Sequence, residues 1–161
     1  MRHSIRGFIT IFGRRLGPEF SRVMLGAERY LDRYIVYLLG GTLRLHKFWR
    51  GDDQRAPHDH PWWFITFPFR SYLEEYWTPV SEWDGKGPYH SYDWRSDWVS
   101  RLRVVKAWRF HFRPAKFRHI VIGRADGSKK PFWTLVISGG VSNAWGFWPK
   151  PDSFVPYKEW K

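Results

Sequence analysis

The chain reads as an all-β protein: one closed jelly-roll barrel carrying a short amphipathic helix at its N-terminus. Three observations lead there. About ten short apolar runs follow one another from Tyr30 onward, separated at regular intervals by Gly, Pro, Asp and Ser turn signals. At 161 residues the chain is long enough for one core and too short for two ordinary domains. A hydrophobic content of 43% is incompatible with a disordered chain.

Residues 1–28 carry the helical pattern. Ile5, Phe8, Ile9, Phe12 and Leu16 recur at helical spacing, with Arg6, Arg14 and Arg15 elsewhere around the wheel. The expectation is a helical extension over residues 1–28 that packs on the barrel or on a second subunit of a homodimer, followed by the barrel over residues 29–161. Strand periodicity then takes over. Tyr30–Leu39 and Thr42–Trp49 flank Gly40-Gly41, a two-residue hairpin turn. Residues 50–57 form a loop into the His58 segment. Trp62–Phe69 and Tyr72–Thr78 read as a second hairpin around Arg70-Ser71. Residues 79–97, rich in Pro, Gly, Ser and Asp, are the longest insertion. Trp98–Lys106 and Ala107–Arg113 are strand-like, and a turn at Pro114–Phe117 delivers His119 to the strand His119–Gly123. Phe132–Ser138 and Asn143–Phe147 complete the set.

Composition excludes several classes. There is no cysteine, which removes disulfides, cysteine-ligated zinc and a cysteine nucleophile. No apolar run approaches the ~20 residues that cross a bilayer as a helix. Arg14-Arg15 resembles a twin-arginine signal only in that pair, because Pro18-Glu19-Phe20 follows instead of an apolar region. The expected location is the cytoplasm. Net charge is +12, and between Arg101 and Lys130 ten basic residues face only Asp126. Such a segment is either a solvated basic face or a surface for nucleic acid, nucleotides or anionic metabolites. The 12 Trp, 13 Phe and 8 Tyr suit a barrel lining, a ligand pocket or a base-stacking surface equally.

The chemistry is carried by histidines. In Pro57-His58-Asp59-His60-Pro61, period-two alternation puts His58 and His60 on one face and Asp59 on the other. His119, after Pro114-Ala115-Lys116-Phe117-Arg118, is placed to close a set of three imidazoles around one divalent ion. A lone histidine is more often structural, and His3, His46, His90 and His111 are read that way first. The alternative for the set itself is three histidines kept as hydrogen-bonding groups in a pocket.

These segments resemble the two motifs of the cupin superfamily over roughly residues 29–148. Gly51, His58 and His60 follow the first motif, with Phe64 where a metal-binding Glu stands and Ser71 at the closing Gly. Pro114 and His119 follow the second, with Trp108 and Lys116 at its two glycines and Gly123 at its Asn. With the late segment Trp145-Gly146-Phe147-Trp148, the chain is similar to small cupin-like proteins of phage and bacterial genomes. The resemblance implies a metal centre of His58, His60 and His119 holding Fe, Mn, Ni or Zn. It also implies dioxygenase-like or isomerase-like chemistry, since three-histidine cupins occur among the thiol and ring-cleaving dioxygenases. The 2-oxoglutarate-dependent type, which needs an acid at the place of His60, is disfavoured.

With Phe64 unable to ligate, the fourth position falls to Glu74 or Glu75 on the next strand or to water; Glu74 is the preferred candidate, and a solvated sheet edge is the alternative place for either carboxylate. Glu74 shares a face with Tyr72 and Tyr76, a polar-aromatic wall that makes Tyr72 a candidate substrate contact. In Trp108–Arg113 basic and aromatic residues alternate. Either the aromatics line the barrel, or Arg109, His111 and Arg113 point inward and bind a small anion; Arg44 and His46 pose the same choice. Two functions follow: a metal-dependent cupin enzyme acting on a small anionic substrate, or a non-catalytic basic cupin that binds nucleic acid, a nucleotide or a protein.

Overall fold

The computed structural model describes residues 2–11, 13–52, 56–82, 89–92 and 97–160, with backbone alone for residues 2 and 89–92. The strands are β1 (Arg2–Arg6), β2 (Ile9–Ile11), β3 (Arg14–Leu25), β4 (Glu28–Leu38), β5 (Gly41–Phe48), β6 (Phe64–Pro68) and β7 (Tyr72–Pro79). They continue with β8 (Tyr89–Tyr92), β9 (Trp98–Val105), β10 (His111–Arg113), β11 (Arg118–Arg124), β12 (Phe132–Gly139), β13 (Gly146–Lys150) and β14 (Ser153–Pro156). An eight-stranded sheet runs β1-β3-β4-β5-β12-β6-β10, with β2 added beside β3. A four-stranded sheet runs β11-β7-β9-β8, and β13 pairs with β14.

Alternation along these strands builds one interior between the two sheets. Tyr30, Leu31, Phe48, Tyr72, Val105, Val121 and Phe132 pack its apolar end. Phe132 is stacked between Phe48 at 5.0 Å and Tyr72 at 5.6 Å. The β4–β5 hairpin forms as the sequence indicates, with Leu38 opposite Gly41. The second expected hairpin does not. At Arg70-Ser71 the chain leaves one sheet for the other, so β6 pairs with β12 and β10, while β7 pairs with β9 and β11.

Among the described residues the N-terminal helix is absent. Arg2–Arg6, Ile9–Ile11 and Arg14–Leu25 are strands, and β3 pairs along β4 from Gly17 opposite Tyr37 to Leu25 opposite Glu28. The helical stripe rested on five apolar positions, of which Phe12 lies outside the described residues. Gly7 and Gly13 interrupt it and Gly17 follows it, and Gly13 and Gly17 have φ of 74° and 115°, which no α-helix admits. In β3, Glu19 and Ser21 turn inward while Phe20 and Arg22 turn outward, which is strand periodicity. Ile5 and Ile9, expected to be buried, are 75% and 59% exposed.

Two features of the fold place the functional histidines. The loop after β5 is laid on β11, with Asp52 N–H donating to the Val121 carbonyl at 2.6 Å. A Cβ on Gly51 would come 1.8 Å from the Ile122 carbonyl oxygen, so only glycine allows this approach. His58 then pairs with His119 through both backbone hydrogen bonds, at 3.1 and 3.0 Å, and Trp148 N–H donates to the Pro57 carbonyl at 2.7 Å. The His58 segment is thereby held between β11 and β13.

Candidate metal centre

The backbone pairing of His58 with His119 brings the two motif segments together, and His60 N–H donates to the Ala115 carbonyl at 3.0 Å in the turn before β11. The three imidazoles form a nearly equilateral triangle, each pair of ring centroids 5.1 Å apart. One donor nitrogen from each lies within 4.8 Å of the others. His60 Nε2 and His119 Nε2 are 2.9 Å apart. That is a hydrogen-bond distance between the two rings, and it is also compatible with shared ligation, since two ligands at right angles around an ion, each at ~2.1 Å, stand about 3.0 Å apart.

Glu74 stands behind this triangle. Its carboxylate is fully buried, and Oε1 accepts a hydrogen bond from His119 Nδ1 at 2.7 Å. Oε2 accepts from Arg103 Nε at 2.7 Å and from the Arg113 guanidinium at 2.9 Å. The alternation that put Glu74 inward with Tyr72 is correct, but the role of fourth ligand is not what the geometry gives it. Both oxygens are engaged by His119 and the two arginines. The Nδ1 bond instead leaves His119 Nε2 with its lone pair toward the triangle, the usual orientation of a metal-binding imidazole. Burial alone would raise the Glu74 carboxyl. The hydrogen bond from His119, then Arg113 and Arg103, outweigh it and hold the group below the ordinary carboxylate range. Burial, then the neighbouring His119 and His58, keeps His60 well below the ordinary imidazole value, so it is neutral and a competent donor at neutral pH.

Asp59 points away from the triangle, as alternation requires. Its Oδ1 accepts from Gly146 N–H at 2.9 Å and its Oδ2 from Trp148 Nε1 at 3.2 Å. Arg118 is sandwiched between Trp148 and Trp98, its guanidinium carbon 3.3 and 3.8 Å from the ring centroids. The His-Asp-His and Trp-Gly-Phe-Trp segments are thus one unit, in which Asp59 ties the histidines to β13. Asp59→Ala is expected to remove about 2–4 kcal/mol of stability by deleting two hydrogen bonds to a buried carboxylate. It should also weaken metal binding while leaving the three ligands in place. Urea unfolding and metal titration of the variant check both; unchanged affinity would show that the histidines hold their places without this tie.

The remaining expectations divide. Tyr72 is in the packed apolar end, 3% exposed, rather than on a pocket wall. Residues 107–109 are a turn, so strand alternation holds only over β10, and Arg109 is exposed at the surface. His111 Nε2 donates to the Lys106 carbonyl at 2.8 Å on the rim. Arg113 is inward and buried, with its charge directed at Glu74. Trp108, Phe110 and Phe112, the alternative barrel lining, are 62%, 69% and 62% exposed. Arg44 does face inward, stacked 4.1 Å over the Trp62 ring, and His46 shares its face on β5. Sequence reasoning missed Asp52, a fully buried carboxylate 3.8 Å from His58 Nδ1, and Arg103. Neither carries a local motif; the cross-strand pairing of Glu74 with Arg103 appears only with the register. The basic run 101–130 is not one exposed stripe either. Arg103 and Arg113 serve Glu74, Arg118 lies between tryptophans, and Arg124 pairs with Asp126.

Comparison with solved structures settles the fold. The chain superimposes on iron(II) HppE with a TM-score of 0.52 at 9% identity, over 82% of this chain and 64% of that one. Iron(II) HppE with the alternative substrate (S)-1-HPP gives 0.51 at 7% identity, over 82% and 63%. The fold is that of the cupins. The chain spans less than two thirds of the length of those structures. No family model matches the chain, and no curated protein does. No helix among the described residues is long and apolar enough to cross a membrane.

Proposed function

We propose that this cupin holds one divalent metal ion on His58, His60 and His119 and uses it enzymatically on a small anionic substrate. The observation that carries the reading is the triangle itself, with His119 oriented from behind by a buried carboxylate. Three donors gathered in one place, one of them with a tautomer-setting partner, are the usual arrangement of metal-binding histidines. Bound there, a metal ion supplies a Lewis-acidic centre with three neutral protein ligands and free positions for substrate.

The chain's own residues shape what reaches those positions. Phe64, where other cupins place a carboxylate ligand, packs 4.5 Å from the His60 ring and 5.7 Å from that of His119, so this side is apolar and adds no negative charge. Inward on β5 and β12 stand Arg44, His46 and Thr134, with Thr66 on β6. Arg44 and His46 lie near enough to His60 to depress its protonation electrostatically. A neutral three-histidine set beside inward-facing cationic side chains favours an anion that spans the ion and a guanidinium. The choice between dioxygenase-like and isomerase-like chemistry rests on the resemblance to three-histidine cupins.

The test is a titration of cobalt(II)-loaded protein with a panel of small carboxylates, hydroxyacids and phosphonates, followed by the visible spectrum of the ion. At least one class is expected to perturb the spectrum at millimolar or lower concentration, with affinity falling about tenfold or more in Arg44→Gln. A cobalt spectrum indifferent to every anion would contradict the substrate class while leaving the metal site standing.

A further inference from the structure

The metal centre leaves one polar atom of the barrel interior unused. His46 Nε2 is buried and has no hydrogen-bond partner among the described residues. Buried polar atoms are ordinarily paired, so a side-chain nitrogen left over in an interior is a place for a bound group. Its surroundings indicate which kind. Register sets His46 directly opposite Arg33 of β4 and Thr134 of β12, and Pro68 of β6 completes that row. The adjacent row on the same face runs Ile35, Arg44, Val136 and Thr66. From β4 to β6 neither row holds a carboxylate. Glu19, further out on β3 opposite Ile35, accepts from the Tyr37 hydroxyl at 2.8 Å. Arg44 is 7% exposed, and its guanidinium is fixed in place by donation from Nε to Thr42 Oγ1 at 2.7 Å and by its stack on Trp62. Beyond His46 the interior turns apolar, with the Phe48 ring edge-on at 6.0 Å and Phe132 stacked behind it.

We propose that His46 and Arg44 together bind a second oxyanion of the substrate, so that the molecule this cupin takes is a compact dianion with one end on the metal ion and the other on β5. The inference rests on the metal reading above and narrows its substrate class. The three histidines are carried by β11 and the segment beside it, whereas Arg44 and His46 stand on the eight-stranded sheet. Sheets packed face to face lie about 10 Å apart, so a short chain joins the two walls. A guanidinium is the geometric match for the edge of a carboxylate or phosphonate. The imidazole beside it adds a donor from a second direction. Burial, then Arg33 and Arg44, keeps the His46 ring neutral at neutral pH, and a neutral imidazole protonated at Nε2 donates to an oxyanion without adding charge of its own. A monoanion held on the ion would leave His46 Nε2 buried and unpaired. A site built to bond a polar group rejects the analogue that lacks it much more strongly than an apolar pocket rejects a missing methylene. His46 is thus a specificity-determining residue, and its unpaired nitrogen is the observation that separates a dianion from the wider class of small anions.

The test compares diacids with monoacids of equal length on the cobalt(II)-loaded full chain, read by the visible spectrum of the ion. Malonate, succinate and glutarate are titrated beside propionate, butyrate and valerate. At least one diacid should bind on the order of 10–100-fold more tightly than its monoacid. His46→Leu fills the same space without a polar atom. It should remove most of that difference while leaving the monoacid affinities and the spectrum of the loaded protein unchanged. His46→Gln, which restores a donor, should recover part of it. Equal affinities within every pair, or a difference that survives in His46→Leu, would overturn the second subsite and leave the metal centre standing. A wild-type chain that takes up no cobalt would instead overturn the metal reading, and this inference with it.

Discussion

Glu74→Ala is expected to destabilise the protein by about 3–5 kcal/mol, among the largest effects of any single substitution in the chain. The carboxylate is fully buried, and it neutralises Arg113, itself 4% exposed, while also accepting from Arg103 and His119. Removing it strands buried positive charge, and breaking one side of such a pair costs far more than the pair itself contributes. The pH dependence has a definite sign. The folded Glu74 carboxyl titrates below its ordinary 4.5, so its stabilisation is complete above that value and is lost as pH falls through the acid range. His46 and His60 titrate well below 6.5 in the folded state, chiefly through burial. The unfolded chain therefore takes up those protons first, and stability begins to decline below about pH 6.5. Thermal unfolding of the metal-free protein should show a gradual loss below that point and a steeper one below about 4.5. Glu74→Gln should suppress the second step. A melting temperature flat down to pH 4 would contradict this electrostatic account.

His119→Ala should abolish metal binding, with affinity lowered more than 100-fold for every divalent ion, and His60→Ala should do the same. The two differ in what they leave behind. Loss of His119 deletes the hydrogen bond to Glu74, whose charge Arg103 and Arg113 still compensate, so stability should fall modestly. Glu74→Gln keeps all three imidazoles and removes only the carboxylate behind one of them. Its affinity should drop about 10–100-fold, the range for orienting partners of a ligand. Calorimetric titration with Zn(II) and Mn(II) would measure all three. If Glu74→Gln lost as much affinity as His119→Ala, the carboxylate would itself be a ligand, as the sequence first suggests.

Much of this site is legible from alternation. It puts His58 and His60 together, turns Asp59 the other way, and sends Tyr72 and Glu74 inward, and each of these holds. What alternation cannot supply is the partner across the sheet. Whether an inward glutamate meets an ion or an arginine depends on the pairing of β7 with β9, some 29 residues away. The reading of Trp108–Arg113 as one strand fails for a local reason. Trp108 stands at a motif glycine and keeps a glycine-like φ of 61°, so the chain turns there and the alternation restarts at β10. The left-handed conformation costs a tryptophan roughly 1–2 kcal/mol, offset in part by its stacking on Phe69 at 5.5 Å. At the N-terminus, five apolar residues fit a helical period over a window too short, and too broken by glycine, to form a helix. The glycines at 7, 13 and 17 and Pro18 were the better guide.

The central claim is that three histidines hold a metal ion, and elemental analysis by plasma mass spectrometry addresses it most directly. The full chain would be purified, equilibrated with an equimolar mixture of iron(II), manganese(II), nickel(II) and zinc(II), desalted and assayed beside His58→Ala and His60→Ala prepared in parallel. The account predicts close to one divalent ion per wild-type chain and none above background in either variant. Wild-type protein that retains no ion, or variants that retain as much as the wild type, would contradict it.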